Sequence, residues 1–295
     1  MIKNVAISFS YKVEDLNVLL EILKLNFENP PKVFVFCNAN NETFNLIASS
    51  FENELIDHFF HFPDENCFPS NTERETKRKQ PLDLFKKILE EFDQRQEAFC
   101  FLEGDCFPLS EDHFFEPFDR LKNVNIVAKK FDFTQIKIED FSDQDDVEAL
   151  KQAISNSDKM PNGYIYPGGM YFSSDSSTKI LSQLNKDYDE MLDGRRNFEG
   201  MLGTLFKRSN LSFEKLNDVF CYTFPNTNQL CSKSFLIHQH NIMNLKDIFA
   251  IFEIKKGKGV NYIQNETFFV PKAASYVKIE RNEIAVKLCN LVVKQ

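Results

Sequence analysis

The chain has 295 residues, of which 42% are hydrophobic and 27% are charged, and its formal net charge is −9. These values predict a globular protein with one large domain or two smaller ones, and they exclude a disordered chain. The acidic balance argues against nucleic acid as a partner, and no run approaches the roughly 20 apolar residues that a transmembrane helix needs.

Seven cysteines occur without paired CxxC spacing. Two of them, Cys37 and Cys100, fall inside predicted buried strands, so we expect reduced thiols that pack as small hydrophobic side chains. The same pattern argues against a zinc site. Because the N-terminus turns polar too quickly for a signal peptide, we expect a soluble cytoplasmic protein.

The chain opens with a predicted strand over residues 5–9, which ends in Ser10 and Tyr11. Leucines then recur at helical spacing between residues 16 and 27, which predicts an amphipathic helix that two prolines end. A second strand over residues 33–37 ends in a run of asparagines, and these residues tolerate turn geometry.

A helix over residues 42–56 and a short strand over residues 59–62 follow in our prediction. The alternation of strand and helix predicts an α/β fold with a mostly parallel, right-handed sheet flanked by helices. Residues 63–80 look irregular, and Pro81 suits the first turn of the next helix.

A charged run over residues 73–79 precedes Pro81. Such a run usually forms a solvated helix or loop surface. The alternative is that Arg74, Lys77 or Arg78 reaches a phosphate group of a ligand near the ends of the strands. The sequence leaves both interpretations open.

A short apolar run, residues 99–102, predicts a strand that is buried on both faces and ends in Glu103, Gly104 and Asp105. Residues two apart in an extended chain point the same way, so the two carboxylates form a compact oxygen cluster. Such a cluster suits a hard divalent cation and its phosphate ligands. The alternative is an acidic turn that ends a core strand.

Another strand is predicted over residues 124–128, and the acidic stretch 139–148 is typical of a solvated loop. Gly168 and Gly169 lie within an aromatic strand pattern over residues 164–174, which indicates backbone that approaches something closely. A helix over residues 178–192 follows and ends at a glycine.

The next helix is predicted to begin at Asn197, with Glu199 in its first turn. Glu199 either complements the helix dipole or has a catalytic role. A later predicted strand ends at His238 and His240. Residues 245–295 carry no motif and predict a small C-terminal subdomain or extension, which leaves residues 1–244 as the main domain.

In their order, these segments resemble the GT-A class of nucleotide-sugar glycosyltransferases, over about residues 5–240. The resemblance implies a Rossmann-like fold and assigns donor-binding roles near the strand ends. The implied contacts of the donor are Ser10, Tyr11, Asn38, Asn40 and Glu103, and the phosphate-binding interpretation of the charged run adds Arg74 and Arg78. Gly168 and Gly169 are similar to the strand that floors the acceptor site and complete the set of predicted binding residues. Glu103-Gly104-Asp105 resembles the Asp-x-Asp motif of the class.

The resemblance also implies that Asp105, with His238 or His240, holds Mn²⁺ or Mg²⁺, and that Glu199 is the base of an inverting enzyme. The implied reaction moves a sugar from a nucleoside diphosphate sugar, with UDP ranked ahead of GDP, to a hydroxyl of a glycan, glycolipid or protein. A lipid-linked acceptor would require only peripheral docking at a membrane.

Two other functions stay open at the level of sequence. A sugar-1-phosphate nucleotidyltransferase uses a related sheet, but it needs a glycine-rich and basic phosphate loop after the first strand, and residues 10–14 contain no glycine. The second alternative is a non-catalytic nucleotide-sugar-binding or scaffold protein of the same fold. A dehydrogenase is disfavoured because no GxGxxG motif follows the first strand.

Overall fold

The computed structural model describes residues 3–10, 13–64, 74–108, 111–130, 165–193 and 198–216, and the backbone of residues 219–221, 229–230, 236–238 and 268–269. The chain divides into two compact units. The first contains Met1–Gly104, Phe115–Phe131 and Ser157–Asn217, and the second contains Asp105–Phe114, Asp132–Asn156 and Asp218–Gln295. The predicted boundary between residues 244 and 245 lies outside the described residues and stays a prediction.

Strands account for much of the described chain. In chain order they are β1 Asn4–Phe9, β2 Lys32–Cys37, β3 His58–His61, β4 Phe99–Glu103, β5 Cys106–Pro108, β6 Ile126–Ala128, β7 Met170–Phe172, β8 Phe213–Lys215, β9 Val219–Cys221, β10 Gln229–Leu230, β11 Leu236–His238 and β12 Phe268–Phe269. The first unit holds a seven-stranded sheet in the order β3-β2-β1-β4-β7-β6-β8.

The large sheet is mostly parallel. β1 pairs in parallel with β2 on one side and with β4 on the other, and β2 pairs in parallel with β3. β7 is the exception, because it runs antiparallel to both β4 and β6. The predicted fold class, a mostly parallel α/β sheet flanked by helices, is therefore confirmed.

Helices cover both faces of this sheet. They are α1 Val13–Glu21, α2 Asn41–Ile47, α3 Arg74–Arg95, α4 Glu111–Arg120, α5 Ser176–Asp193 and α6 Phe198–Arg208. A π-helical turn, Ile22–Asn26, continues α1. Within the described part of the chain, no helix has the length and apolar character that crossing a membrane requires.

Phenylalanines form much of the core between the sheet and the helices α3, α5 and α6. Phe99 of β4 stacks on Phe172 of β7, with ring centroids 4.8 Å apart. Phe85 of α3 meets Phe198 of α6 edge to face at 5.9 Å. Such aromatic pairs add to the gain from burying apolar area, and here they fix the start of α6 against the sheet.

Two helix boundaries differ from the prediction. The helix predicted over residues 42–56 ends at Ile47, and two 3₁₀ turns, Ala48–Ser50 and Asn53–Leu55, replace its second half. α3 begins at Arg74, so Pro81 lies inside the helix and not in its first turn. Hence part of the stretch expected to be irregular, residues 74–80, is helical.

The second unit contains small sheets of its own. β11 pairs antiparallel with β5 and parallel with β9, and β10 pairs antiparallel with β12. The predicted strand that ends at the histidines is therefore present as β11, and it belongs to a three-stranded sheet. The acidic stretch 139–148 lies outside the described residues.

Candidate functional site

The point at which the chain reverses its progress across the sheet lies between β1 and β4. From β1 the chain moves to β2 and then β3 on one side, and it crosses back to place β4 on the other side of β1. In open α/β sheets, ligands bind in the crevice outside the carboxyl ends of the strands at such a switch point. The topology therefore points to the ends of β1 and β4.

The acidic segment stands at this switch point. Ser8 of β1 is in register with Glu103 of β4, and the Gly104 N–H donates to the Ser8 carbonyl at 3.0 Å. Gly104 and Asp105 form a turn that leads directly into β5. The backbone of β1 thus anchors the turn that carries both carboxylates.

The turn gathers three side chains with metal-ligand chemistry. Within the described residues, one ligand atom each of Glu103, Asp105 and Cys106 lies within 4.8 Å of the others. Two half-buried carboxylates fit Mg²⁺ or Mn²⁺, which prefer oxygen ligands, while a thiol is a softer donor. Cys106 was not among the predicted ligands, because a single cysteine without a partner at ligand spacing gives no signal in the sequence.

The structure describes the backbone of one of the two predicted histidine ligands. His238, in β11, is in register with Cys106 of β5, next to Asp105. The pairing therefore brings the backbone of His238 beside Cys106, the residue after Asp105, and all three residues belong to the second unit. His240 lies outside the described residues. The metal-binding role of both residues stays a prediction.

Two of the predicted nucleotide contacts meet each other at the ends of β1 and β2. The Ser10 hydroxyl donates to the Asn38 side-chain oxygen at 2.7 Å. Asn40 instead caps α2, because its side-chain oxygen accepts the Thr43 N–H at 2.8 Å. Tyr11 lies outside the described residues.

A histidine that the sequence did not single out stands beside this pair. His61 ends β3, and its Nε2 donates to the Ala39 carbonyl at 2.7 Å. The carbonyl can only accept, so Nε2 carries a hydrogen. The ring stacks on Phe44 of α2, with centroids 3.9 Å apart. In the sequence, His61 lies within a short run of aromatic residues that predicts a strand and indicates no functional role for the histidine.

The paired glycines lie on the other side of β4, where β7 begins. Both Gly168 and Gly169 are buried. The Gly169 N–H donates to the carbonyl of Phe101 at 3.1 Å, and Gly169 has a φ of 77°, which favours glycine. The predicted close backbone approach is therefore present, and it is an approach to β4, two residues before Glu103.

Glu199 occupies the first turn of α6 and is half-buried. Its carbonyl accepts the Ile165 N–H at 3.1 Å, and Ile165 pairs with Lys130, just past the end of β6. α6 therefore begins at the edge of the sheet where β6 ends, and β6 runs parallel to β4. Arg74 and Arg78 lie in α3, but their side chains are outside the described part.

Cys100, a core residue of β4, is unsuited to act as a nucleophile. It is fully buried and in register with Tyr171 of β7. Burial raises the pKa of the Cys100 thiol well above its ordinary value. Cys37, Cys100 and Cys106 are all buried thiols, as expected for the first two.

No protein-family model and no curated protein matches the chain. Solved structures with a similar backbone include mouse xyloside xylosyltransferase 1, at 11% identity and a TM-score of 0.49, over 82% of this chain and 98% of that one. The bifunctional glycosyltransferase WbbM has 13% identity and a TM-score of 0.47, over 90% of this chain and 52% of WbbM.

A further similar structure is the galactosyltransferase LgtC in complex with donor and acceptor sugar analogues. It has 12% identity and a TM-score of 0.47, over 80% of this chain and 86% of LgtC. All three proteins are named as glycosyltransferases, the class that the sequence itself resembles.

Proposed function

We propose that this protein is a metal-dependent glycosyltransferase that moves a sugar from a nucleoside diphosphate sugar to an acceptor hydroxyl. The observation that carries the proposal is the position of Glu103, at the end of β4, and Asp105, in the turn that follows, at the switch point of the sheet. Carboxylates at that position suit a cation that binds a diphosphate.

Asp105 is the proposed ligand of Mn²⁺ or Mg²⁺, and Glu103 binds a metal-bound water or the ribose. The proposed further ligand is His238 of β11 or His240, an imidazole that would favour Mn²⁺. When bound, the cation supplies positive charge that stabilises the diphosphate leaving group. The protein's part is to fix the carboxylates, which it does through the Gly104–Ser8 hydrogen bond.

The nucleoside of the donor is proposed to lie along the ends of β1 and β2. Ser10 and Asn38 are hydrogen-bonded there and present polar groups at one edge of the sheet. Asn40 acts indirectly, because its side chain holds the start of α2 and thereby shapes the loop. In this proposal UDP is preferred to GDP as the nucleotide of the donor.

The acceptor is proposed to bind on the other side of β4, near Gly168, Gly169 and the start of α6. In an inverting transfer the acceptor oxygen attacks the anomeric carbon, and the bond from that carbon to the diphosphate oxygen breaks. The diphosphate leaves with the bonding electrons, and the Glu199 carboxylate takes the proton of the acceptor hydroxyl.

Calorimetric titration with UDP, GDP, CDP and ADP, each with and without Mn²⁺, tests the proposal. We expect at least one nucleotide to bind in a Mn²⁺-dependent way, and Asp105→Ala to abolish that dependence. The control Asp112→Ala, which removes an exposed carboxylate of α4, should bind as the wild type does. The absence of metal-dependent binding by all four nucleotides would contradict the proposal.

Turnover distinguishes the two enzymatic classes. A glycosyltransferase releases a nucleoside diphosphate from a sugar donor when an acceptor is present. A nucleotidyltransferase instead releases pyrophosphate from a nucleoside triphosphate and a sugar 1-phosphate. Pyrophosphate release would replace the proposed function with the second class.

A further inference from the structure

Cys106 is a buried thiol that lies next to a carboxylate of the candidate metal site. It begins β5, is fully buried and is a reduced cysteine. Its Sγ lies within 4.8 Å of a carboxylate oxygen of Asp105. Donor atoms of one Zn²⁺ lie about 2.0–2.3 Å from the ion, so atoms this close need only small side-chain rotations to share a cation. Cys106 is therefore within reach of the cation proposed at Asp105.

The strand beside β5 places a histidine opposite this cysteine. His238 of β11 occupies the register position opposite Cys106 in an antiparallel pair. Residues at such positions belong to the same face of a sheet, with Cβ atoms about 4.5–5.5 Å apart. Asp105, Cys106 and His238 all belong to the second unit. One compact unit therefore supplies a carboxylate, a thiol and an imidazole at adjoining positions.

A second cysteine lies on the same small sheet, and strand spacing separates it from the first. Cys221 of β9 is in register with His238, on the side of β11 away from β5. A disulfide requires Cα atoms within about 7 Å of each other. Cys106 and Cys221 are two strand spacings apart, which is about 10 Å. The two cysteines are therefore too far apart for a disulfide, and Cys106 keeps its thiol for another role.

The chemistry of these donors bears on which cation the site takes. Carboxylates suit Mg²⁺ and Mn²⁺, whereas thiolate and imidazole suit Zn²⁺ and other thiophilic cations. Asp105 is a hard donor, and Cys106 and His238 are softer ones. Ligands that come together from separate strands show no paired spacing along the chain, so the sequence gives no sign of such a site. The fold thus adds soft donors to a site that the sequence marks only by its carboxylates.

We propose that Cys106 is a ligand of the cation at Asp105, and that its sulfur gives the site a preference for thiophilic cations such as Zn²⁺ and Co²⁺ over Mg²⁺. This inference rests on the proposed function of the same site, which assigns the cation to Asp105. On binding, the S–H bond of Cys106 breaks, the sulfur bonds to the cation, and the proton passes to solvent.

Titration of the nucleotide-free protein with Co²⁺ tests the proposal, because thiolate-bound Co²⁺ has a charge-transfer absorption band in the near ultraviolet. We expect this band in the wild type and its loss in Cys106→Ser. Calorimetry should show that Cys106→Ser binds Zn²⁺ at least about tenfold more weakly, with a smaller change for Mg²⁺, since even an outer partner of a metal ligand is worth that much. Thermal unfolding verifies that the variant is folded, and Cys106→Ala replaces it if serine at this buried position prevents folding.

Cys100→Ser is the matched control. Cys100 is also a fully buried thiol, but it lies in β4 of the first unit and its Sγ donates to the Phe101 carbonyl at 3.7 Å. This variant should keep the Co²⁺ band and the preference for Zn²⁺.

The outcomes separate this inference from the proposed function. A wild type without the band, or a band and a Zn²⁺ preference that survive in Cys106→Ser or in Asp105→Ala, overturns the inference, while Mn²⁺-dependent nucleotide binding still supports the proposed function. A band that both variants lose, in a protein that binds no nucleotide, supports Cys106 as a ligand and overturns the proposed function. Failure to bind any divalent cation overturns both.

Discussion

Asp187 is a buried carboxylate that joins two helices through a charged partner. It accepts hydrogen bonds from Arg208 of α6 at 2.9 Å and from Gln183 of its own helix, α5, at 2.6 Å. Burial alone would raise the pKa of Asp187, but these hydrogen bonds outweigh it and hold the pKa below the ordinary value of 3.8. A lowered pKa means that the carboxylate stabilises the fold above pH 3.8 and loses that contribution as the pH falls.

We therefore expect Arg208→Met to lower the free energy of unfolding by about 1–3 kcal/mol at neutral pH, because it leaves Asp187 buried and without its charged partner. The difference from wild type should shrink as the pH falls through the lowered pKa of Asp187. Urea unfolding at neutral pH and at pH below 3.8 measures both effects. A difference that is independent of pH would show that the loss is one of packing alone.

Lys122→Met serves as the control for that experiment. Lys122 pairs with Asp119 at 2.9 Å, but both side chains are largely exposed. Exposed ion pairs contribute little, so this variant should unfold almost as the wild type does at both pH values.

Glu199 is the residue whose proposed role separates binding from turnover. Glu199→Gln keeps the size and hydrogen-bonding capacity of the side chain but removes its ability to take a proton. For an inverting transfer we expect kcat to fall by about 10²–10⁴-fold while nucleotide affinity is unchanged. Release of the nucleoside diphosphate in the presence of acceptor glycans gives kcat, and calorimetry gives the affinity.

Glu90→Gln, which removes a half-buried carboxylate that pairs with Lys87 on α3, controls for the change of charge. Unchanged turnover in Glu199→Gln would remove Glu199 as the base, and its carboxylate would then serve the helix dipole.

At the scale of the element, the start of α3 is one of the helix boundaries that the sequence predicted wrongly. Proline lacks the N–H that an interior helical residue donates, so it usually begins a helix and seldom interrupts one. In the structure Pro81 follows seven residues of α3. Hydrophobic packing of the remainder of α3 against the sheet and α5 holds the helix despite the missing bond.

Replacement of Pro81 decides between the two boundaries. If α3 begins at Arg74, Pro81→Ala restores a donor to the Lys77 carbonyl, and we expect the free energy of unfolding to rise by up to about 3 kcal/mol. If the helix began at Pro81, the change would be neutral or slightly destabilising. Denaturant unfolding measures the difference. Pro63→Ala, outside any helix, should lower stability by no more than about 1 kcal/mol.

At the scale of the whole molecule, the large sheet should open from its edges. β1 and β4 are paired on both sides, whereas β3 and β8 are the ends of the sheet. Amide hydrogen exchange measured by mass spectrometry should therefore be slowest in β1 and β4. Exchange in β8 as slow as that in β1 would contradict the strand order.

Local sequence patterns predict the apolar strands, most of the helices and the acidic turn. Residues 5–9, 33–37 and 99–102 are short apolar runs, and such runs specify strands through local pattern alone. Glu103 and Asp105 were found for the same reason, since their spacing along one strand end is a local property. The fold class followed from the alternation of strands and helices.

Which strand ends lie together is a property of the folded chain and is not encoded in any one segment. The antiparallel direction of β7, the contact of Ser10 with Asn38, and the position of His61 and Cys106 depend on pairing between distant segments. Those pairings are selected by burial and backbone hydrogen bonding over the entire sheet, and no local pattern encodes them.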